Sequence, residues 1–258
     1  MASANLKVEG LTKRFGGVVA ADAVGLDIPA GEFHAVIGPN GAGKTTLIGL
    51  LAGAIAPQGG SIRFEGHDIT SVPDYRRSQL GLARSFQITS LFSAFTALDN
   101  VALAVQAHRG HSFRFWRGAR KDKELRTPAQ AALARVGLAG RADVRVDKLS
   151  HGEQRQLEIA MALASEPRLL LLDEPMAGMG PEESARMVEM LRALKGAMTI
   201  LLIEHDMETV FALADRISVL VYGRVIACGE PAAIRADAAV RQAYLGEQEA
   251  TGQGARRG

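Results

Sequence analysis

Short apolar, β-branched runs alternate along this chain with stretches of helical period. Phe33–Ile37 reads as a strand that ends in a glycine-rich turn, and Lys44–Ala52 follows as a helix. Residues 169–172 are four leucines and read as a buried strand, and Thr199–Ile203 reads as another. Residues 216–222 and 224–228 flank Gly223 as a hairpin, and 61–64 read as an edge strand. Strands alternating with helices predict an α/β core with a parallel sheet.

The middle of the chain has a different texture. From about residue 90 to 164 it is rich in alanine, leucine and arginine and poor in strand signals. Leu157, Ala160, Met161 and Ala164 recur at i, i+3, i+4 and i+7, so one helix face there is expected to be buried. This stretch reads as a helical subdomain inserted in the α/β core, which is formed by residues 1–89 and 165–245 of one domain. Residues 246–258 are rich in Gly, Gln, Glu and Arg and read as a disordered tail.

Composition narrows the class. With 47% apolar and 22% charged residues in 258, the chain can bury a substantial core and is not a disordered polymer. One cysteine, Cys228, leaves no internal disulfide and fits a reducing cytosol. No apolar run approaches the ~18–20 residues of a membrane span, and Met1 to Gly10 lack the apolar centre of a signal peptide. A soluble cytosolic protein is expected. The net charge of +2 is uneven: between Arg76 and Arg126 ten Lys/Arg face three Asp/Glu, while the remainder is acidic. Charge alone favours a solvated helical face there; the alternative is a surface that meets anions, whether lipid headgroups, nucleic acid or an acidic partner.

Two segments carry chemistry. Gly38, Pro39, Asn40, Gly41, Ala42, Gly43, Lys44 and Thr45 match G-x-x-x-x-G-K-[ST], after an apolar strand and before a helix. The glycines let backbone N–H groups turn toward a phosphate, and the helix adds its positive end. In that arrangement Lys44 reaches the β- and γ-phosphates, Thr45 gives its hydroxyl to Mg²⁺ and Thr46 meets the α-phosphate. The leucine strand ends in Asp173 and Glu174, and burying adjacent carboxylates without a cation is costly. Asp173 is expected to hold Mg²⁺, mostly through water, and Glu174 to polarise the attacking water.

Leu149-Ser150-His151-Gly152-Glu153-Gln154 then resembles the signature of the ABC ATPase family, L-S-G-G-Q. Further landmarks agree in order over about residues 5–245: Phe15 in Lys13-Arg14-Phe15-Gly16 resembles the adenine-stacking aromatic, Gln87 the Q-loop glutamine and His205 the switch histidine. The resemblance implies a P-loop NTPase core of ABC ATPase type, with a mainly parallel sheet, an antiparallel β part and an inserted helical subdomain. It also implies ATP and Mg²⁺ between two domains closed head to tail. Ser150, His151, Gly152 and Glu153 would then bind the γ-phosphate from across the interface. His205 would contact the γ-phosphate and the water, and Gln87 the Mg²⁺ and the water.

One glycine loop, one signature and no membrane span resemble the separate ATP-binding subunit of a bacterial importer. Gly81-Leu82-Ala83-Arg84-Ser85-Phe86-Gln87 and Glu204-His205-Asp206-Met207 look most like the branched-chain amino acid subfamily. The implied partners are integral-membrane permease subunits, a second ATP-binding subunit (the same or a related chain) and, indirectly, a periplasmic binding protein. The implied place is the cytoplasmic face of the inner membrane. The rivals are the ATPase of lipopolysaccharide export, an ABC ATPase acting on nucleic acid, and an ATP-dependent scaffold. The absence of a second ATPase unit, zinc module or coiled coil speaks against nucleic acid, and intact Glu174 and His205 speak against the scaffold. The basic, aromatic insert 109–123, with Phe113, Phe115 and Trp116, follows the Q-loop where that subfamily carries extra residues. His108 and His111 read as non-ligands. Two departures stand out: His151 replaces a signature glycine, which backbone binding is expected to tolerate, and Gly180 replaces the usual D-loop aspartate.

Overall fold

The computed structural model describes residues 4–85, 91–109 and 122–243. Gln87, most of the basic aromatic insert and the 246–258 tail therefore lie outside the described residues. In chain order come β1 (Ala4–Phe15), β2 (Val18–Pro29), β3 (Phe33–Ile37), α1 (Lys44–Ala52), β4 (Gly59–Phe64), β5 (His67–Asp68) and α2 (Asp74–Gln79). Next are β6 (Leu82–Arg84), α3 (Ala97–Arg109), α4 (Lys123–Arg135), α5 (His151–Leu163), β7 (Leu169–Asp173) and α6 (Pro181–Leu194). β8 (Thr199–Ile203), α7 (Met207–Leu213), β9 (Arg216–Val221), β10 (Arg224–Gly229) and α8 (Pro231–Ala236) follow. No helix among the described residues is long and apolar enough to cross a membrane.

Two compact units emerge, one of Met1–Asp74 with Thr199–Gly258 and one of Tyr75–Met198. In the first, β3 lies between β8 and β9 and runs parallel to both, while β10 returns antiparallel to β9 around Gly223. Every residue of β3 and β8 is buried. Strands covered on both faces require such unbroken apolar runs, which is why composition alone located them. Ala35, Ile37, Ile217 and Val219 pack with Val210 and Ala214, from α7 and the residue after it, and with Ile234 of α8.

The same unit holds an antiparallel sheet in the order β2-β1-β4-β5. β1 and β2 form a hairpin over Gly16 and Gly17, with Phe15 opposite Val18. Leu6, Val8 and Leu11 face inward, whereas Lys7 and Glu9 pair in solvent at 2.6 Å. Register shifts at Val8/Leu11 and Leu11/Lys13 break the period-2 pattern, so this hairpin is weakly written in the sequence. The expected edge strand 61–64 is corrected: β4 pairs with β1 on one side and β5 on the other.

In the second unit, β6 and β7 run parallel with Leu82 opposite Leu169. α3, α4 and α5 pack on one another, and α5 also meets β6 and α6. Leu157, Ala160 and Ala164 are buried as their period predicts, but Met161 is half-buried; Ile159 and Leu163 complete the apolar face instead.

The turn from β3 into α1 is the tightest point of the first unit. A Cβ on Gly38 would lie 2.1 Å from the Leu220 carbonyl oxygen, and one on Gly43 the same 2.1 Å from that of Ala20. Gly38→Ala is expected to cost more than about 2 kcal/mol, because backbone rather than a side-chain tip must move. Urea unfolding of the variant against the parent checks this.

Candidate functional site

Pairing brings two distant segments to one edge of the first unit's sheet. Val36 is opposite Ile203, so β3 runs into the glycine loop where β8 runs into Glu204 and His205. The loop is braced from outside: the Gly223 N–H donates to the Ala42 carbonyl at 2.9 Å, and the Asp22 N–H to the Gly223 carbonyl at 2.8 Å. Lys44 is buried, and its Nζ donates to the Gly38 and Pro39 carbonyls at 2.5 and 2.9 Å. The ammonium is thus held against the loop's inner rim.

α1 begins without a side-chain cap. Its N-cap is Gly43, at φ 102°, and its first turn contains no acid. The left-handed conformation requires glycine there. A helix N-terminus left in this way presents a positive end and donor N–H groups to an external anion. Thr45 is exposed and Thr46 half-buried, on that first turn. Asn40 and Gly41 are exposed at the loop tip, and no atom lies within 4 Å of a Cβ built on Gly41. Phe15, half exposed at the β1–β2 turn, carries the Lys13 ammonium 5.3 Å from its ring centroid.

His205 is exposed, while its neighbour Glu204 is buried. The Glu204 carboxylate accepts from the His205 N–H at 3.1 Å and lies 3.6 Å from its Nδ1. Asp206 then caps α7, accepting from the Glu208 and Thr209 N–H groups and from the Thr209 hydroxyl at 2.6 Å. The ring is therefore carried on a turn anchored on both sides.

In the second unit, the leucine strand delivers Asp173 to a nearly closed position, its side chain 3% exposed. The cation that burial demands is Arg84, whose Nη2 meets Asp173 Oδ2 at 3.1 Å. Arg84 stands opposite Leu171 in the β6–β7 pair, and the Ser85 N–H donates to the Leu171 carbonyl. The sequence reading named only a metal or water for this carboxylate; the arginine, 89 residues away, carries no local signal. Glu174 adopts φ 46°, the left-handed region. For a non-glycine residue this costs on the order of 1–3 kcal/mol, a strain typical of functional turns.

The signature segment forms the start of α5. Ser150 is the N-cap and accepts from the Glu153 N–H at 3.2 Å, while Glu153 accepts from the Ser150 N–H at 2.9 Å, a complete capping box. Burial works against the Glu153 carboxylate, but the Ser150 N–H and Arg141 hold it below its ordinary range. Glu183 of α6 reaches the same helix end: its Oε1 accepts from Ser150 Oγ at 3.0 Å and from the Gly152 N–H at 3.3 Å. Glu183 was not singled out from the sequence, where it reads as one of two acids opening α6. The His151 ring is exposed and points toward Gly178, whose Cβ position would lie 3.7 Å from Cε1. Gly180 caps α6 without a side chain.

Comparison with known proteins agrees with these motifs. A family model described as ABC transporter matches residues 21–177, and one described as branched-chain amino acid ATP-binding cassette transporter matches 224–250. The chain is 39% identical over 251 residues to the high-affinity branched-chain amino acid transport ATP-binding protein BraF of Pseudomonas aeruginosa, covering 94% of this chain and 98% of that one. It is 38% identical, with the same coverage, to LivG of Escherichia coli strain K12, whose description is the same. Among solved structures it resembles the ADP conformation of MJ1267, an ATP-binding cassette of an ABC transporter. There the TM-score is 0.83 and identity 29%, over 94% of this chain and 99% of that one. A dimeric cassette, MJ0796, matches with TM-score 0.74 and 26% identity, over 88% and 98%.

The cap beside His205 has a measurable pH signature. The Thr209 hydroxyl, helped by the Glu208 and Thr209 N–H groups and by His205, holds Asp206 below its ordinary 3.8 against the effect of burial. A depressed folded-state pKa adds stability that is full above the ordinary range and lost as pH falls through the folded value. Asp206→Ala is expected to cost about 1 kcal/mol at neutral pH. The gap between variant and parent should close in acid, as thermal unfolding over a pH series will show.

Proposed function

The chain belongs to the ABC transporter family, and from that premise we propose that it is the ATP-hydrolysing subunit of a membrane importer. Its solutes are branched-chain amino acids or related small molecules. The observation that carries the reading is the glycine turn between β3 and α1, with its uncapped helix end, buried Lys44 and His205 at the same sheet edge. The match of residues 224–250 to a branched-chain amino acid transporter model, and the two relatives described for such transport, support the solute class.

In this reading backbone N–H groups of the turn between Asn40 and Thr46 receive the β- and γ-phosphates, with Lys44 turned from the loop carbonyls to them. Phe15 stacks on adenine. The Thr45 hydroxyl and Gln87, and Asp173 mostly through water, would hold Mg²⁺, since all are hard oxygen donors of the kind that ion takes. When bound, Mg²⁺ would supply positive charge against that developing on the transferred phosphoryl group. Glu174 accepts a proton from the attacking water as its oxygen bonds to the γ-phosphorus and the bridging bond to ADP breaks. His205 hydrogen-bonds the γ-phosphate.

The pairing partner is a second ATP-binding subunit, this chain or a related one, whose signature closes on the γ-phosphate. The dimeric relative MJ0796 supports such pairing. Permease subunits at the cytoplasmic face of the inner membrane take up the closing motion, and a periplasmic binding protein delivers solute.

Glu174→Gln is expected to bind ATP normally and to lower turnover at least about 10²-fold, the usual weight of a general base. Lys44→Ala should weaken ATP binding about tenfold or more, by removing a charged donor. Calorimetry with ATP and Mg²⁺, and phosphate release, separate the two. Uptake of labelled leucine by vesicles carrying the assembled transporter tests the solute class; ATP turnover without any amino acid uptake would overturn it.

A further inference from the structure

The signature end of α5 already holds an anion supplied by the chain itself. One oxygen of Glu183 accepts from a hydroxyl, Ser150 Oγ, and from a backbone N–H, that of Gly152. The carboxylate is packed directly on the glycine: a Cβ there would lie 2.8 Å from Oε1 and 2.9 Å from the carboxyl carbon. A hydroxyl and an N–H at the positive end of a thirteen-residue helix form the donor set that binds a phosphate oxygen. Capping does not explain the contact, because Ser150 and Glu153 complete the cap without Glu183. The carboxylate comes from a different helix, 33 residues further along the chain.

We propose that Glu183 is a placeholder for the γ-phosphate at the signature, an autoinhibitory contact that must open before a second ATP-loaded cassette can close. The proposal rests on the pairing described above. Two anions cannot share one hydroxyl and one N–H at hydrogen-bond distance without strong repulsion. ATP presented by a partner therefore has to displace the carboxylate. The displacement needs only a side-chain rotation: Glu183 is half-buried on the first turn of α6, and Ser150 is exposed. A cassette without a nucleotide-bearing partner thereby keeps its signature donors satisfied, and closure needs more of the triphosphate than an empty cradle would.

The test uses the full chain in the Glu174→Gln background, where ATP persists. Association is followed by light scattering against ATP concentration, for the chain alone and mixed with a co-expressed related ATP-binding subunit. Adding Glu183→Ala or Glu183→Gln is expected to lower the ATP needed for half-association on the order of tenfold, the weight of one charge-assisted hydrogen bond. The nucleotide-free melting temperature should stay level or fall slightly. A role in holding the helix end together would instead lower stability and weaken association. Unchanged or weaker association in both variants, with a dimer still formed by Glu174→Gln, overturns the placeholder alone. No association in any variant or mixture at saturating ATP overturns the pairing reading, and this inference with it.

Discussion

The glycine turn between β3 and α1 depends on one close approach: backbone against backbone around residues 38–43. β3 and β9 run parallel with Ile37 opposite Val219, and that register carries the Leu220 carbonyl against Gly38. On the other side the Ala20 carbonyl presses on Gly43, and Gly223 closes the ring through Ala42. Segments near residues 20, 40 and 220 thus share the work of shaping one short turn. A loop clamped in this way has its N–H groups oriented before any anion arrives, so binding need not supply the ordering entropy of a free glycine-rich segment.

Helix N-termini are where the chain manages negative charge, and it does so in contrasting ways. All carry the same orphan N–H groups and partial positive charge. α7 spends them on Asp206 and α5 on Ser150, Glu153 and Glu183. α6 opens with Pro181 and two glutamates over an uncapped Gly180. α1 has neither a capping side chain nor an acid. In a chain with abundant Asp and Glu, α1 leaves its end to the glycine turn, whereas α5 and α7 meet carboxylates of the chain itself. Asp173 follows the same economy of charge in the opposite sense, since its buried carboxylate is matched by Arg84 of the neighbouring strand.

Much of the fold was legible in the chain. β3, α1 and β8 fall where contiguous apolar residues and the glycine turn placed them, because a strand buried on both faces leaves no freedom in composition. The β1–β2 hairpin was not read. Its bulges shift the inward positions, so Leu6, Val8 and Leu11 fall out of strict alternation. β4 was misread as an edge because the strand that covers it, β5, is two residues long and polar. Met161 lies off the buried face since α5 packs through Ile159 and Leu163 as well as Leu157.

The sequence by itself determined the residue types at the glycine turn and the strand end bearing Asp173 and Glu174. Each is local: the backbone geometry or burial involved admits few alternatives, so it leaves a mark in adjacent letters. Only the tertiary structure decided that Arg84 neutralises Asp173, that Leu220 and Ala20 forbid side chains on Gly38 and Gly43, and that Glu183 occupies the signature. Those contacts join residues 23 to 182 positions apart in the chain. Ordinary arginine, glutamate and backbone carbonyl groups make them, and strand register and helix packing alone bring these groups together.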